Sequence, residues 1–132
     1  MKKLSCLFLL SLFPILGFSQ NCTPNPIFQG WVGIYPDTII NIPCGYGNVY
    51  YETVVNFGMP TEANQLDATY PPGIPINWVR IDTVMGLPSG FNYLTNAASN
   101  TPPDQWNGGE QGCLTVYGQA PTGVYPLSID VM

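Results

Sequence analysis

Proline and glycine recur so closely in this chain that a long helix has no room to form. Fourteen of each are present, and one of each, Pro14 and Gly17, lies in the first twenty residues; beyond Gln20 no stretch free of both exceeds eleven residues. Both residues interrupt helices, glycine through its backbone entropy and proline through a missing donor and a clash with the preceding turn. The runs between them are rich in Ile, Val, Tyr, Phe, Trp and Thr, and recur about every dozen residues. These residue types suit a pleated, half-buried surface. The punctuation therefore predicts an all-β chain, and the spacing an antiparallel β-sandwich.

Individual runs can be placed. Asp37 to Ile42 is a first candidate strand, closed by Pro43 and the Gly45-Tyr46-Gly47 turn. Val49 to Phe57 alternates most clearly, with Val49, Tyr51, Thr53, Val55 and Phe57 on a core face and Tyr50, Glu52 and Asn56 opposite. Thr61 to Tyr70 is polar and reads as a loop with room for one helical turn. Ile76 to Met85 is extended, with Val79, Ile81 and Thr83 opposite Arg80 and Asp82, a pairing that marks a solvated face. Phe91 to Tyr93, Cys113 to Tyr117 and Tyr125 to Val131 complete the set. Asn107-Gly108-Gly109 and Gly118 to Gly123 are turns between them. No repeat or linker divides the chain, so residues 21–132 are expected to form one domain.

Met1 to Gln20 reads as a secretory signal peptide: Lys2 and Lys3, the apolar run Leu7 to Phe13, then Pro14, Gly17 and the polar exit Ser19-Gln20. The run is short for a membrane span and no second one follows, so the mature chain is expected to be exported, with no membrane insertion. Removing twenty of 132 residues leaves 112, with Arg80 as the one cation against all eight carboxylates, a net charge of −7. A single cation cannot recruit nucleic acid or an anionic membrane by charge. Histidine is absent and both lysines leave with the leader, so triads, His-ligated metals and Schiff-base chemistry are excluded, and no cofactor is implied. Three cysteines remain in an oxidising compartment. A Cys22–Cys44 bridge closes a loop of about 20 residues and stabilises by roughly 3 kcal/mol; Cys113 is then expected as a small buried apolar residue.

The string GLPSGF at Gly86 to Phe91, followed by GCLTVYGQAPTGVYPLSIDV at Gly112 to Val131, resembles the Ig-like and cadherin-like modules of bacterial surface proteins. YYETVVNF (Tyr50 to Phe57), PINWVRIDTVMGLPSGF (Pro75 to Phe91) and WNGGEQGCL (Trp106 to Leu114) look more narrowly like the N-terminal region of large secreted Bacteroidota proteins, whose later parts often include a type IX secretion sorting domain. The resemblance implies an Ig-like sandwich in which Tyr125 is a corner tyrosine, its ring packed in the core and its hydroxyl bonded to nearby backbone. In such modules another strand follows, so a chain closing at Met132 is expected to lack its last strand, with one sheet edge unpaired.

Two constellations remain. Asp37, Asp82, Asp104, Glu110 and Asp130 are weak candidates for calcium, which takes clustered carboxylate and carbonyl oxygens, although no DxD or DxNxDG spacing occurs. Trp31, Tyr35, Tyr46, Tyr50, Tyr70, Trp78 and Trp106 are many aromatics for this length. Most suit core or rim positions, while Tyr50 and Trp78, whose parity opposes the apolar set, could line an outward binding face. The leading expectation is a non-enzymatic extracellular module, structural or adhesive, with a protein or glycan partner. A carbohydrate-binding module is the alternative.

Overall fold

A computed structural model describes residues 21–132; the expected leader, Met1 to Gln20, lies outside the described residues. The strands are β1 (Gly33–Tyr35), β2 (Tyr51–Gly58), β3 (Trp78–Met85), β4 (Phe91–Thr95), β5 (Gln105–Asn107), β6 (Gln111–Gly118) and β7 (Ser128–Val131). They form two antiparallel sheets, ordered β1-β2-β6-β4 and β5-β3-β7. The protein is an all-β sandwich, and its helical content among the described residues is two single 3-10 turns, Pro26–Phe28 and Ala63–Gln65.

The β2–β6 ladder is the spine, running unbroken from Tyr51↔Gly118 to Gly58↔Gln111. Val55 and Phe57 of β2 and Leu114 and Val116 of β6 point inward, where they meet Ile81 of β3 and Trp106 of β5. Burying each such side chain stabilises by about 1.5–3 kcal/mol. Trp106 packs against Phe57 with ring centroids 5.9 Å apart, and its indole N–H donates to Asn96 Oδ1 at 3.1 Å. The same oxygen accepts the Cys113 N–H at 2.9 Å, so one amide ties the loop after β4 to both β5 and β6.

Several expected elements shift for local reasons. Asp37 to Ile42 is a turn rather than a strand, because Asp37 Oδ1 accepts the N–H groups of Ile39 and Ile40 at 2.9 and 2.8 Å and Asn41 turns left-handed at φ 59°. The alternation over Val49 to Phe57 is kept, but the strand starts at Tyr51 and Val49 is exposed, since its N–H bonds to the Tyr46 carbonyl in the preceding turn. β3 keeps its parity to Ile81 and then slips: a bulge at Asp82 sets Thr83 opposite Asp130 and turns Val84 to the core in its place. Tyr125 donates to the Pro121 carbonyl at 2.8 Å, the bond expected of a corner tyrosine, but its ring is exposed rather than packed in the core, because it stands at the open end of the sandwich. That corner and Pro126 delay the last strand to Ser128. The short strands β1 and β5 were not foreseen.

The expected Cys22–Cys44 bridge is overturned. Cys22 pairs with Cys113, 91 residues away, and Cys44 is a free, exposed thiol. Leu114 and Val116 face the core, so Cys113 faces outward from β6, yet it is wholly buried. The N-terminal segment covers it. The Asn25 N–H donates to Asn56 Oδ1 at 3.0 Å on the same outer face of β2. At Gly58 the Trp31 carbonyl lies so close that an added Cβ would stand 1.6 Å from its oxygen. The segment laid there carries Cys22 onto Cys113, while Cys44 sits in the loop at the far end of β2. On the chain-entropy account a loop of this length stabilises by about 4–5 kcal/mol.

Arg80 makes this pairing easy to test, because beyond Gln20 it offers the one tryptic site and it separates Cys113 from the other two cysteines. Digested unfolded and unreduced, the two fragments should stay joined until a thiol is added, in Cys44→Ala as in the parent; fragments that part without reduction would rule out a bridge to Cys113. The double variant Cys22→Ala/Cys113→Ala should lose about 4 kcal/mol in urea unfolding.

Candidate functional site

At the β2 start the sandwich is not filled. A cavity of about 1040 Å³ lies between the sheets, walled by Val55, Leu114 and Val116 on one side and Val84 and Ile129 on the other. Its mouth is lined from two segments, Pro36 to Val49 and Ala120 to Leu127. The two segments are tied together: the Asn48 N–H donates to the Ala120 carbonyl at 2.7 Å, and the Gln119 amide donates to the Asn48 carbonyl. Tyr51, whose ring stands against Phe91 inside, donates its hydroxyl to the Pro43 carbonyl at 2.5 Å and so holds the first segment over the opening. Thr38, Asn41 and Thr122 give the mouth a few polar groups, and Cys44 lies on it as well.

The tips of these segments are apolar and face solvent. Tyr46 is 84% and Val124 94% exposed, and Ile39 and Ile40 project from the turn capped by Asp37. Four large apolar side chains at one end of a sandwich form an unusual surface for an isolated domain. Sequence reasoning missed this end because it assigned Ile39 and Ile40 to a strand face. The available signal was Asp37, an acceptor two and three residues ahead of the isoleucines, which favours a turn.

The expected aromatic pair is not brought together. Tyr50 precedes β2 in the four-stranded sheet and Trp78 begins β3 in the three-stranded one; both are outward, at 62% and 41% exposure, but on opposite layers of the sandwich. A different aromatic group does assemble. Phe28 contacts Trp31 and Tyr35 at centroid distances of 5.7 and 4.8 Å, beside the edge strand β1, with Trp31 and Tyr35 partly exposed. Trp106 is core, and Tyr70 is an exposed loop residue.

The five acidic candidates for calcium are likewise dispersed. Asp37 caps its turn, Asp82 pairs with Arg80 at 3.5 Å, Asp104 accepts the Thr95 hydroxyl at 2.5 Å, Glu110 accepts both nitrogens of Asn107, and Asp130 is exposed on β7. Each answers to a local donor or to water. Among the described residues no group of three or more Asp, Glu or Cys side chains is placed to hold a metal ion. The Arg80–Asp82 pair matches the solvated face expected of it and is worth at most about 1 kcal/mol.

No helix among the described residues is long and apolar enough to cross a membrane. No protein-family model, curated protein or solved structure matches the chain.

Tyr50 offers a local probe of the outer face. Its hydroxyl donates to Glu52 Oε2 at 2.8 Å, and that bond, followed by desolvation and by the Glu52 charge, holds its pKa above the ordinary tyrosine value. The neutral phenol is the form favoured by folding. Any stability it adds is present below the ordinary value of about 10 and is lost as pH rises through the raised one. Ultraviolet titration of the protein against Tyr50→Phe should place the midpoint above that ordinary value, and Glu52→Ala should bring it back; an unmoved midpoint in Glu52→Ala would dismiss the carboxylate as the cause.

Proposed function

We propose that this protein is a non-enzymatic extracellular module, structural or adhesive, of a larger secreted or cell-surface bacterial protein. The observation that carries the reading is the apolar loop end: Ile39, Ile40, Tyr46 and Val124 displayed around an open cavity, a surface suited to contact rather than to chemistry. The strand order supports an Ig-like assignment. β1-β2-β6-β4 corresponds to the A-B-E-D sheet of Ig domains and the adjacent β3-β7 to C-F, with Tyr125 at the corner that leads into β7. The motifs at Gly86 to Phe91 and Gly112 to Val131 point the same way, toward the modules of Bacteroidota surface proteins. A disulfide with a long loop suits an oxidising compartment.

The Phe28, Trp31 and Tyr35 cluster favours a second reading, a carbohydrate-binding module in which partly exposed rings stack on sugar faces. It takes the place of the Tyr50 and Trp78 pair, which the fold separates.

Export and contact are separately testable. Chain recovered from the medium or cell surface of its host should begin at Asn21 by intact mass, and a retained leader would count against export. Beads coated with the protein should adhere to host cells, and Tyr46→Ser/Val124→Ser should lower adhesion about tenfold with an unchanged melting temperature. Retardation in polysaccharide gels that Trp31→Ala abolishes, with adhesion of the loop-tip variant intact, would establish the carbohydrate reading in its place.

A further inference from the structure

We propose that Asn107 is a covalent modification site, an asparagine that deamidates through the backbone nitrogen of Gly108, and that the fold keeps this site closed through Glu110. The inference is independent of the module reading. Asn107 is the one asparagine in the chain that glycine follows. Asparagine is a thermolabile residue, and a following glycine has no side chain to hinder the approach of its nitrogen to the amide carbon. Asn107 ends β5 and is exposed to water, in a turn toward β6 that the Glu110 N–H closes on the Asn107 carbonyl at 3.1 Å.

In the reaction the Gly108 nitrogen gives up its proton and bonds to Asn107 Cγ, Nδ2 leaves as ammonia, and water opens the cyclic imide to aspartate or isoaspartate. No oxidant or cofactor takes part. The folded turn opposes each step. Glu110 Oε1 accepts Asn107 Nδ2 at 3.1 Å and Oε2 accepts the Asn107 N–H at 2.7 Å, so one carboxylate fixes both the backbone and the side chain of the residue. Its charge also opposes the negative oxygen that develops on Cγ. The Gly108 N–H donates to the Asn77 carbonyl at 2.9 Å, a bond that favours the protonated nitrogen over the anion the attack requires. Gly108 is hemmed in as well, since an added Cβ would run into the Ile76 carbonyl oxygen. Opening this one turn releases all of these restraints together.

The product cannot close the turn again. A carboxylate at position 107 has no N–H to offer Glu110 and would set two like charges in one site. Isoaspartate adds a carbon to the backbone and moves the residue out of register with Trp78, one of the three pairs that join β5 to β3. The same short strand holds Trp106 in the core against Phe57. Deamidation therefore records, in one direction, that the β5 end has opened.

The test follows the full chain in neutral buffer, with deamidation read as the mass gained when an amide becomes an acid and located by peptide mapping. The parent should deamidate at Asn107 at least about tenfold more slowly in buffer than in urea that unfolds it. Glu110→Ala should deamidate about tenfold faster than the parent in buffer, and amide exchange at Gly108 should speed by the same factor, because one opening event exposes both. Val116→Ala weakens the core away from this turn, and should lower the urea midpoint while leaving the rate at Asn107 as it is. Asn107→Asp carries one of the two products, and its Gly108 amide should exchange about tenfold faster than in the parent. Equal rates in buffer and urea, or an unmoved Glu110→Ala, would overturn the proposal. So would a Val116→Ala chain that deamidates as fast as Glu110→Ala, since general loss of stability would then be the cause. A Gly108 amide still protected in Asn107→Asp would overturn the one-way step.

Discussion

Strand β6 has to be covered on both faces, and the rest of the architecture follows from how this is done. It hydrogen-bonds to β2 along its whole length and to β4 along half of it, so it has no edge to expose. Its inward side chains, Leu114 and Val116, are buried by the second sheet. Its outward Cys113 is buried by the N-terminal segment, fixed through Cys22, through Asn25 on Asn56 and through Trp31 against Gly58. Without that outer layer a cysteine and the Asn56 side chain would lie open on a sheet face. The bridge is therefore a covalent part of the packing, and it fastens the first described residues to the centre of the sheet.

The same logic explains why the two ends of the sandwich differ. Near Gly58 and Gln111 both faces of the large sheet are covered, and Trp106, Met59 and Ala97 fill the interior, with Asn96 satisfying the polar groups that come with them. Toward Tyr51 and Gly118 the second sheet is narrower, because β5 pairs with the first residues of β3 and only β7 accompanies its second half. A three-stranded layer set on a four-stranded one leaves a volume that loops must bridge. Residues 36–49 and 119–127 do so through one backbone bond, Asn48 to Ala120, and the Gln119 amide on Asn48, rather than by apolar filling.

What was legible in the sequence was whatever depends on near neighbours. Proline and glycine spacing yields the all-β class, and alternation yields the inward set Tyr51, Thr53, Val55 and Phe57, because a pleat is a local property. The corner bond of Tyr125 spans four residues and was likewise foreseen. The bridge spans 91 residues and depends on which face of β6 the N-terminal segment covers, information that no local spacing holds. The bulge at Asp82 depends on register with β7, so the change from Thr83 to Val84 as the inward residue was also hidden. Asp37 misled because Thr38, Ile39 and Ile40 have strand propensities that a single side-chain acceptor overrides. For the candidate site, Tyr50 and Trp78 are both exposed, but parity within a strand says nothing about which sheet the strand joins.

The exposed groups differ between the sheet faces and the open end of the sandwich. On the sheet faces the exposed groups are isolated or already partnered: Tyr50 with Glu52, Arg80 with Asp82, Trp78 alone. A broad face of this kind has little to gain by burial. At the open end the balance is reversed, since Tyr46, Val124 and the cavity wall all hold apolar area that water touches, and about 25 cal/mol is gained per Å² removed from it. A contact there therefore gains hydrophobic area. The end of the sandwich that packs least well is for that reason the end at which binding returns the most.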